Sequence, residues 1–413
     1  MRSVASTTAF VLAAALFCAV GHAATLTVGP GETYTTIQAA VNAASKGDTI
    51  AVKTGMYAEA IVIATNNLTL RSVDGKGRAI IVGDGSSNCV SVNAGLGVKF
   101  IGFVIDGGGL YGIYHEGGQV LDPVSVTDCT FENCSYGFYA EFSYMEGTAF
   151  TFTGNTMTDC WIGMYVYGFD GATIRISDNT ATDCDNGLYV EEMSEDVPSD
   201  AIVSNNVVVS SAVVSDTYGI YCCCAEDTTK FVGNTVIGFA YGMYFEDVGC
   251  CGPSPAILYI EDNEITDCDY GLYFDELVCC MPAKVYIRGN TMSGNNCGIH
   301  VSSFNYASES TVVVTNNNIC GNSFGFDNAS GIDITANGNW WGDPSGPSGE
   351  GPGTGDPISV NVIVESFRSS PYTGSSGGGG GGCAAGAEGA AGLAVILPLA
   401  LLFFRKERAG PSL

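Results

Sequence analysis

A row of tyrosines with acidic neighbours is the part of this sequence whose residue types and spacing are best suited to chemistry. A phrase of glycine, an apolar residue and tyrosine recurs about 27 residues apart. Its tyrosines are Tyr114, Tyr139, Tyr165, Tyr189, Tyr221, Tyr244 and Tyr273, and acidic residues follow two positions later at Glu141, Glu191 and Glu246. Aromatic rings can stack on sugar rings, and carboxylates accept hydrogen bonds from sugar hydroxyls. The row therefore predicts an exposed surface that binds a glycan or, alternatively, a basic protein surface.

The same tyrosines have a second interpretation, in which they stack on one another and stabilise a sheet. Cross-strand aromatic pairs contribute about 0.2–1 kcal/mol each and need no ligand. Replacing Tyr165, Tyr189 and Tyr221 with serine would separate the two interpretations, because only a binding surface loses affinity at unchanged stability.

Cysteines form a second group with chemical potential. Seven of them fall in three neighbouring repeats: Cys222, Cys223, Cys224, Cys250, Cys251, Cys279 and Cys280. In a secreted chain such thiols favour disulfides between neighbouring repeats. A thiolate metal site is the alternative, although the usual C-x-x-C spacing is absent. Another set stands three residues before the repeat glycine, where we expect buried thiols that pack as small apolar side chains: Cys134, Cys160, Cys184 and Cys268.

Residues for catalysis are harder to find. Beyond the N-terminal segment the chain has two histidines, His115 and His300, and neither lies in a recognisable catalytic phrase. Arg175 and Arg288 are isolated on predicted strands. Adjacent carboxylates are expected by chance among 43 acidic residues, so we interpret them as solvated. The sequence predicts no catalytic residue, no bound metal and no cofactor, with calcium left open.

The repeat itself must position these side chains. Three short strands and three turns fit in one period, and stacked periods bury a core that a single period cannot. Alternation places the apolar residue of the phrase inward and the tyrosine outward. Asparagine stands eight positions before the glycine at Asn155, Asn179, Asn234, Asn263, Asn290 and Asn317, with Cys129 and Ser211 as exceptions. We expect these amides to stack at a turn and the glycine to occupy a left-handed or tightly packed turn position. The pattern predicts an all-β fold, a parallel β-helix.

The ends of the predicted β-helix are marked by different residues. The body spans residues 24–372, with repeats over about 98–330. Apolar residues at helical spacing predict a capping helix over about 34–45, with Thr35 or Thr36 as its N-cap. Trp340 and Trp341, within 339–347, predict a cap on the last coil. Residues 373–382 form a glycine-rich linker.

Several of these phrases resemble the pectin-lyase-like superfamily with its NosD-like repeats. They are Thr36-Ile37-Gln38-Ala39-Ala40-Val41, Gly47-Asp48-Thr49-Ile50, the Asn and Gly repeats, and Asn339-Trp340-Trp341-Gly342, and they cover roughly residues 30–345. The resemblance implies a single-stranded right-handed parallel β-helix with an N-terminal capping helix. That fold serves lyases, hydrolases, epimerases, adhesins and surface stalks, so it leaves function open. We expect a structural, adhesive or glycan-recognition role, with a polysaccharide lyase or hydrolase as the alternative.

Both termini are predicted to be targeting segments. Residues 1–23 have the apolar run and small-residue end of a secretory signal peptide. Residues 383–408 are apolar and then basic, and with Gly381, Gly382 and Cys383 they resemble the bacterial sorting signal called Synergist-CTERM, a MYXO-CTERM-like signal being the near alternative. The resemblance implies a transient transmembrane segment and a sorting protease. The expected location is the cell surface or outer envelope of a bacterium, where the chain is secreted and anchored.

The charge of the chain restricts its partners. The formal net charge is −28 and the pI is about 4.1. Such a field repels nucleic acid, which proteins bind by neutralising phosphates with Lys and Arg. A polysaccharide or a surface protein remains as the expected partner.

Overall fold

The chain forms a right-handed parallel β-solenoid of about twelve coils in a computed structural model. The structure describes residues 23–145, 147–169, 171–191, 200–225, 228–249, 255–305, 309–374 and 383. Its one described helix is α1, Ile37–Ala43. The strands in chain order are β1 Thr25–Val28, β2 Thr49–Val52, β3 Gly55–Ala58, β4 Ile61–Ile63, β5 Leu68–Ser72, β6 Ala79–Val82, β7 Val90–Val92, β8 Val98–Ile101, β9 Phe103–Asp106, β10 Ile113–Gln119, β11 Val124–Thr127, β12 Thr130–Glu132, β13 Tyr136–Tyr144, β14 Ala149–Thr153, β15 Thr156–Thr158, β16 Ile162–Tyr167, β17 Thr173–Ser177, β18 Thr180–Thr182, β19 Asn186–Glu191, β20 Asp200–Ser204, β21 Val207–Val209, β22 Tyr218–Cys222, β23 Thr228–Val232, β24 Thr235–Ile237, β25 Tyr241–Asp247, β26 Ala256–Glu261, β27 Glu264–Thr266, β28 Tyr270–Glu276, β29 Ala283–Arg288, β30 Thr291–Ser293, β31 Cys297–Ser303, β32 Thr311–Thr315, β33 Asn318–Cys320, β34 Phe324–Asn328, β35 Ile334–Thr335, β36 Pro347–Gly349, β37 Gly355–Ile358 and β38 Val362–Ile363.

Each coil contributes one strand to each of three long sheets. Sheet 1 has 12 strands and includes β14, β17 and β20; sheet 2 has 11 and includes β15, β18 and β21; sheet 3 has 13 and includes β16, β19 and β22. Neighbouring coils pair in parallel and in register, so equivalent residues form columns along the solenoid. The predicted parallel β-helix is therefore confirmed.

The core follows the predicted alternation. The residue after each repeat glycine is buried, as is the residue two positions further on, for example Phe138 and Ala140 or Met164 and Val166. Aromatic side chains such as Phe150 and Phe152 are among those that fill the interior. Continuous burial of apolar surface along the axis is what stabilises coils that could not fold singly.

The predicted helix and the tryptophans lie at opposite ends. Thr36 is the N-cap of α1, and its hydroxyl accepts a hydrogen bond from the Ala39 N–H at 3.3 Å. Ile37, Ala40 and Val41 of α1 are buried. At the other end, Trp340 and Trp341 are fully buried and both indole N–H groups lack a hydrogen-bond partner.

A buried column of asparagines runs along the corner between sheets 1 and 2. Each side chain accepts from the backbone N–H of the preceding coil and donates to a backbone carbonyl, and all but the last, Asn339, also donate to the next amide. Asn155, for example, donates to Val126 O at 2.9 Å and to Asn179 Oδ1 at 3.1 Å. The full column is Asn155, Asn179, Asn206, Asn234, Asn263, Asn290, Asn317 and Asn339. The expected break at Ser211 was wrong. Extra residues after β21 lengthen the spacing between the asparagine and the repeat glycine of this coil, and Asn206 occupies the asparagine position there.

The role expected for the repeat glycine was partly wrong. Gly137 and Gly163 lie inside strands of sheet 3, not in left-handed turns. A Cβ atom on Gly137 would lie 2.5 Å from the Gly163 carbonyl oxygen, and one on Gly163 would lie 2.7 Å from that of Gly187. The glycine is required by this close approach of neighbouring coils. Left-handed turn positions are taken by Asp and Asn residues such as Asp159 and Asp183, and by other glycines such as Gly154.

Several predictions fall outside the described residues. These are residues 1–22 of the signal peptide predicted over 1–23, residues 375–382 of the glycine-rich linker with Gly381 and Gly382, most of the C-terminal sorting segment, and the pair Cys250 and Cys251. Within the described part of the chain, α1 is too short to cross a membrane. Cys383 is described, and it forms a disulfide with Cys320 of β33 across a Cα–Cα distance of 5.8 Å.

Candidate functional site

The predicted tyrosine row lies on the outer face of sheet 3 as a stack of rings, here called column I. Typical centroid distances are 5.0 Å for Tyr139 and Tyr165 and 5.1 Å for Tyr244 and Tyr273, with planes within 10°. The loosest pair is Tyr165 and Tyr189, at 6.2 Å and 31°. Column I consists of Tyr114, Tyr139, Tyr165, Tyr189, Tyr221, Tyr244, Tyr273 and His300.

A second column, column II, runs beside the first and was not recognised in the sequence. It is formed by the residue that precedes each repeat glycine: Tyr111, Tyr136, Ile162, Asn186, Tyr218, Tyr241, Tyr270, Cys297 and Phe324. Tyr241 stacks on Tyr218 at 5.0 Å and on Tyr270 at 5.4 Å. The phrase is thus Tyr-Gly-apolar-Tyr in five copies, and this longer spacing was the available signal.

The two columns interlock. Rings of column II meet rings of column I edge to face, as Tyr241 does with Tyr244 at 5.2 Å and 82°. The faces of a ring in the middle of a column are covered by its neighbours above and below. A ligand on the continuous part of this surface therefore meets ring edges and hydroxyl groups, not open aromatic faces.

The predicted carboxylates hold the tyrosine hydroxyls. Tyr139 donates to Glu141, Tyr165 to Glu191 at 2.9 Å, and Tyr221 to Glu246. Burial, and then the hydrogen bond to Glu141, raises the pKa of Tyr139 well above its ordinary value. Burial also raises the pKa of Glu246, with a further contribution from the charges of Asp247 and Asp275.

Column II is interrupted at Cys297, and this interruption forms a depression that we call the ring gap. Tyr270 is stacked on Tyr241 through one face, but the next residue of the column is the small, buried Cys297. Phe324 follows one coil later. The ring gap has a volume of about 490 Å³ and is lined by Asp269, Tyr270, Asn296, Cys297, Phe324 and Asp327.

The dimensions of the ring gap follow from the coil repeat. Coils are spaced by about 4.8 Å, so Tyr270 and Phe324 stand roughly 10 Å apart along the axis. This spacing leaves room for one flat or chair-shaped six-membered ring between Tyr270 and Phe324. Carboxylates of Asp269 and Asp327 and the amide of Asn296, which donates to Asp269 at 2.6 Å, lie at its edge.

A chain of polar contacts begins at the ring gap. Asp327 Oδ2 lies 3.0 Å from His300 Nδ1, and His300 Nε2 lies 3.2 Å from the Ser302 hydroxyl. Ser302 in turn donates to the Tyr273 hydroxyl at 2.8 Å. An imidazole oriented by a carboxylate is the usual arrangement for moving a proton. His300, the last ring of column I, is therefore also a candidate acid–base group.

The other histidine has a structural role. His115 is fully buried at the predicted inward position, with Nε2 2.7 Å from the Leu96 carbonyl oxygen and Nδ1 accepting from the Gly117 N–H at 3.0 Å. Burial lowers its pKa to about 4. Of the isolated arginines, Arg288 forms an ion pair with Glu261 and lies over Tyr286.

The two groups of cysteines singled out in the sequence occupy distinct places. Cys134, Cys160 and Cys184 are buried in one column at the corner between sheets 2 and 3, as expected. Cys268 continues this corner, and Asn295 and Asn322 then replace cysteine there.

The disulfide candidates that are described lie near the ends of sheet 3 strands. Cys222 is buried, Cys223 Sγ lies 3.0 Å from Cys224 Sγ, and Cys279 Sγ lies 2.9 Å from Cys280 Sγ. These are thiol contacts between chain neighbours, not bonds between coils. With Cys250 and Cys251 outside the described residues, disulfides between coils stay a prediction.

Comparisons with known proteins agree with the architecture. Residues 79–251 match the family model described as the right handed beta helix region. No curated protein sequence matches the chain at a significant level.

Solved structures resemble the chain at low identity. The A-module of the mannuronan C-5 epimerase AlgE4 of Azotobacter vinelandii is 16% identical over 80% of this chain and 93% of its own, with a TM-score of 0.45. The tailspike protein 3 of bacteriophage CBA120 is 12% identical over 82% of this chain and 59% of its own, with a TM-score of 0.33. The pectate lyase Pel9A is 14% identical over 85% and 79%, with a TM-score of 0.29. At these scores the function has to be argued from the residues of this chain.

Proposed function

We propose that the protein is a non-catalytic glycan-recognition protein, secreted and anchored at the surface of a bacterial cell, which binds a sugar ring in the ring gap. The ring gap carries this proposal, because there an aromatic face, that of Tyr270, is not covered by the next ring of its column. Stacking on Tyr270 and hydrogen bonds to Asp269 and Asp327 supply the two contacts that sugar sites combine.

The charge of the site selects among glycans. Asp269 and Asp327 line the ring gap, and the whole chain carries a net charge of −28. A neutral or amino-substituted sugar is favoured, since an acidic sugar would be repelled. The rest of the two columns serves as a rigid support that holds Tyr270 and Phe324 one ring apart.

A matched pair of substitutions at Cys297 tests the proposal. Cys297→Tyr restores the missing ring and closes the gap, whereas Cys297→Ala leaves it open. In a polysaccharide binding panel, Cys297→Tyr should weaken binding at least tenfold, which corresponds to about 1.4 kcal/mol, and Cys297→Ala should bind as the parent does. Equal binding by both variants would contradict the ring gap as the site. Protease shaving of intact cells, followed by detection of released fragments, tests the surface location.

A second function, a polysaccharide hydrolase or lyase, is favoured by one observation, the contact chain from Asp327 through His300 to Ser302 and Tyr273. Asp327 lines the ring gap, and His300 behind it would act as the acid–base group through that carboxylate. His300→Phe keeps a ring stacked on Tyr273 but cannot transfer a proton. Product release by the parent, lost in His300→Phe with binding retained, would establish the enzyme; binding without any cleavage in the same panel supports recognition.

A further inference from the structure

The described residues at and just after the ends of β22, β25 and β28 form a hydrogen-bonded stack on the side of the solenoid away from the ring gap's column. The Ala225 N–H donates to the Asp247 carbonyl at 3.0 Å, and the Cys279 N–H donates to the Val248 carbonyl at 3.0 Å. The Cys280 N–H donates to Gly249 at 3.3 Å. Side chains at equivalent places in β22, β25 and β28 are thereby held in one column.

Five side chains in this stack present metal-ligating atoms to one another. The sulfur atoms of Cys223 and Cys224 and a carboxylate oxygen of Asp247 lie within 4.8 Å of each other. A second group, formed by Asp247, Glu276 and Cys279, meets the same limit. Asp247 belongs to both groups and pairs in register with Glu276 on the next strand. All five are partly accessible to solvent.

Among the described residues, no cationic side chain balances the charges of this cluster. Asp247 and Glu276 are like charges on directly paired residues, an arrangement that destabilises a sheet. None of the described salt bridges involves either carboxylate. The described hydrogen bond to Glu276 comes from the neutral amide of Asn305, at 3.3 Å. A bound cation would remove the repulsion.

The donor atoms identify the class of cation. Sulfur and carboxylate oxygen together suit zinc, with Zn–S near 2.3 Å and Zn–O at about 2.0–2.2 Å, so ligand atoms on one ion stand roughly 3–4 Å apart. Calcium takes about six to eight oxygen ligands and does not use thiolates, so it does not match this set of donor atoms. Small side-chain rotations would bring either group of three to zinc spacing.

From this geometry we propose a thiolate–carboxylate site for divalent zinc-class metal ions at Cys223, Cys224, Asp247, Glu276 and Cys279, with Asp247 shared between two adjacent ions. Each ion has three ligands among the described residues and a fourth position for water or a further donor. The two ions tie three consecutive coils together, which offsets the like charges of Asp247 and Glu276. The site is independent of glycan recognition.

Metal titration of the reduced full-length protein, kept free of oxygen, tests the site. Zinc should bind at two ions per chain in competition with a chromophoric chelator, and cobalt should give the intense absorption of thiolate coordination. Calcium alone should not compete. Asp247→Asn should weaken the binding of both ions. Cys279→Ser should abolish the binding of one ion and leave the other bound at Cys223, Cys224 and Asp247.

Matched controls separate these ligands from their neighbours. Cys280→Ser and Asp275→Asn change a thiol and a carboxylate adjacent to the site but outside it, and both variants should bind two ions. A double Cys250→Ser, Cys251→Ser variant should also bind two ions. The absence of zinc binding after reduction, or full binding by Asp247→Asn, would overturn the proposal. A disulfide between Cys223 and Cys224 in the purified protein would also overturn the proposal if treatment with reductant and zinc did not yield bound zinc.

Discussion

The asparagine column and column II are built by the same coil repeat but differ in continuity. The asparagine column runs from Asn155 to Asn339 and keeps every rung even where a coil is longer than its neighbours. Column II is interrupted at Cys297, and at Ile162 and Asn186. A buried amide left without its partners is costly, whereas a missing ring at the surface leaves only a space. Interruption is thus tolerated where folding does not depend on the column, and there a ligand can enter.

Of the substitutions that compare the two columns, Asn234→Ala should have the largest effect on the free energy of unfolding. Asn234 donates to Val203 O and to Asn263 Oδ1 and accepts from the N–H groups of Asn206. Its removal leaves several buried polar groups unpaired, so we expect the free energy of unfolding to fall by about 3–5 kcal/mol. Urea denaturation with an unchanged m-value would measure it. A loss near zero would mean that the column is not required for stability.

Tyr221→Ala should cost less, although it removes a larger side chain. Tyr221 stacks on Tyr189 at 4.5 Å and on Tyr244 at 5.4 Å, but it is only half-buried. Two lost cross-strand pairs correspond to a loss of about 0.4–2 kcal/mol in the free energy of unfolding. The same denaturation experiment gives the comparison, and a loss equal to that of Asn234→Ala would contradict the distinction between the two columns.

Cys297→Tyr should raise the free energy of unfolding, whereas the two preceding substitutions lower it. A tyrosine at Cys297 would stand between Tyr270 and Phe324 and would complete the column, as Tyr270 does for Tyr241. We expect a gain of about 0.5–1 kcal/mol in the free energy of unfolding. Thermal unfolding of Cys297→Tyr beside Cys297→Ala would detect it. Stabilisation together with loss of glycan binding would show that the ring gap is kept at the expense of stability.

Alkaline pH should weaken the aromatic columns selectively. Burial, and next the neighbouring Tyr111, raises the pKa of Tyr136 to about 12, above the ordinary value of about 10. The folded state therefore holds the Tyr136 proton more tightly than the unfolded state does. The contribution of the protonated hydroxyl to the free energy of unfolding is intact below about pH 10 and is lost as the pH rises towards 12. Tyrosinate absorbance followed beside circular dichroism would test this. Full tyrosine ionisation in the folded protein near pH 10 would contradict it.

Much of the architecture was predictable from the sequence because the repeat obeys local rules. Inward apolar residues, outward tyrosines and stacked asparagines follow from strand alternation and a fixed period. Asn206 was missed because the inserted residues separate it from Gly219, so a fixed offset from the glycine failed. The left-handed role given to the glycine was wrong because the clash that excludes a side chain is with the neighbouring coil, which local conformation does not reveal.

The candidate sites were less predictable, because they depend on what is missing or on what meets across coils. Cys297 became significant only when the register placed it between Tyr270 and Phe324. The contact of Asp327 with His300 joins residues 27 positions apart. Likewise, Asp247 meets Cys223, Cys224 and Cys279 only through the stacked loops. Spacing along one strand predicts neither kind of contact.

The longest coil shows where the chain tolerates inserted residues. Between β21 and β22 the chain carries additional residues, over 210–217, yet both strands stay in register with the coils before and after them. The extra length is accommodated entirely at the corner between sheets 2 and 3. A foreign epitope or a small folded module inserted there would be displayed on the side of the rod without changing its core, which makes this corner a natural attachment point for engineering and for divergence among repeats.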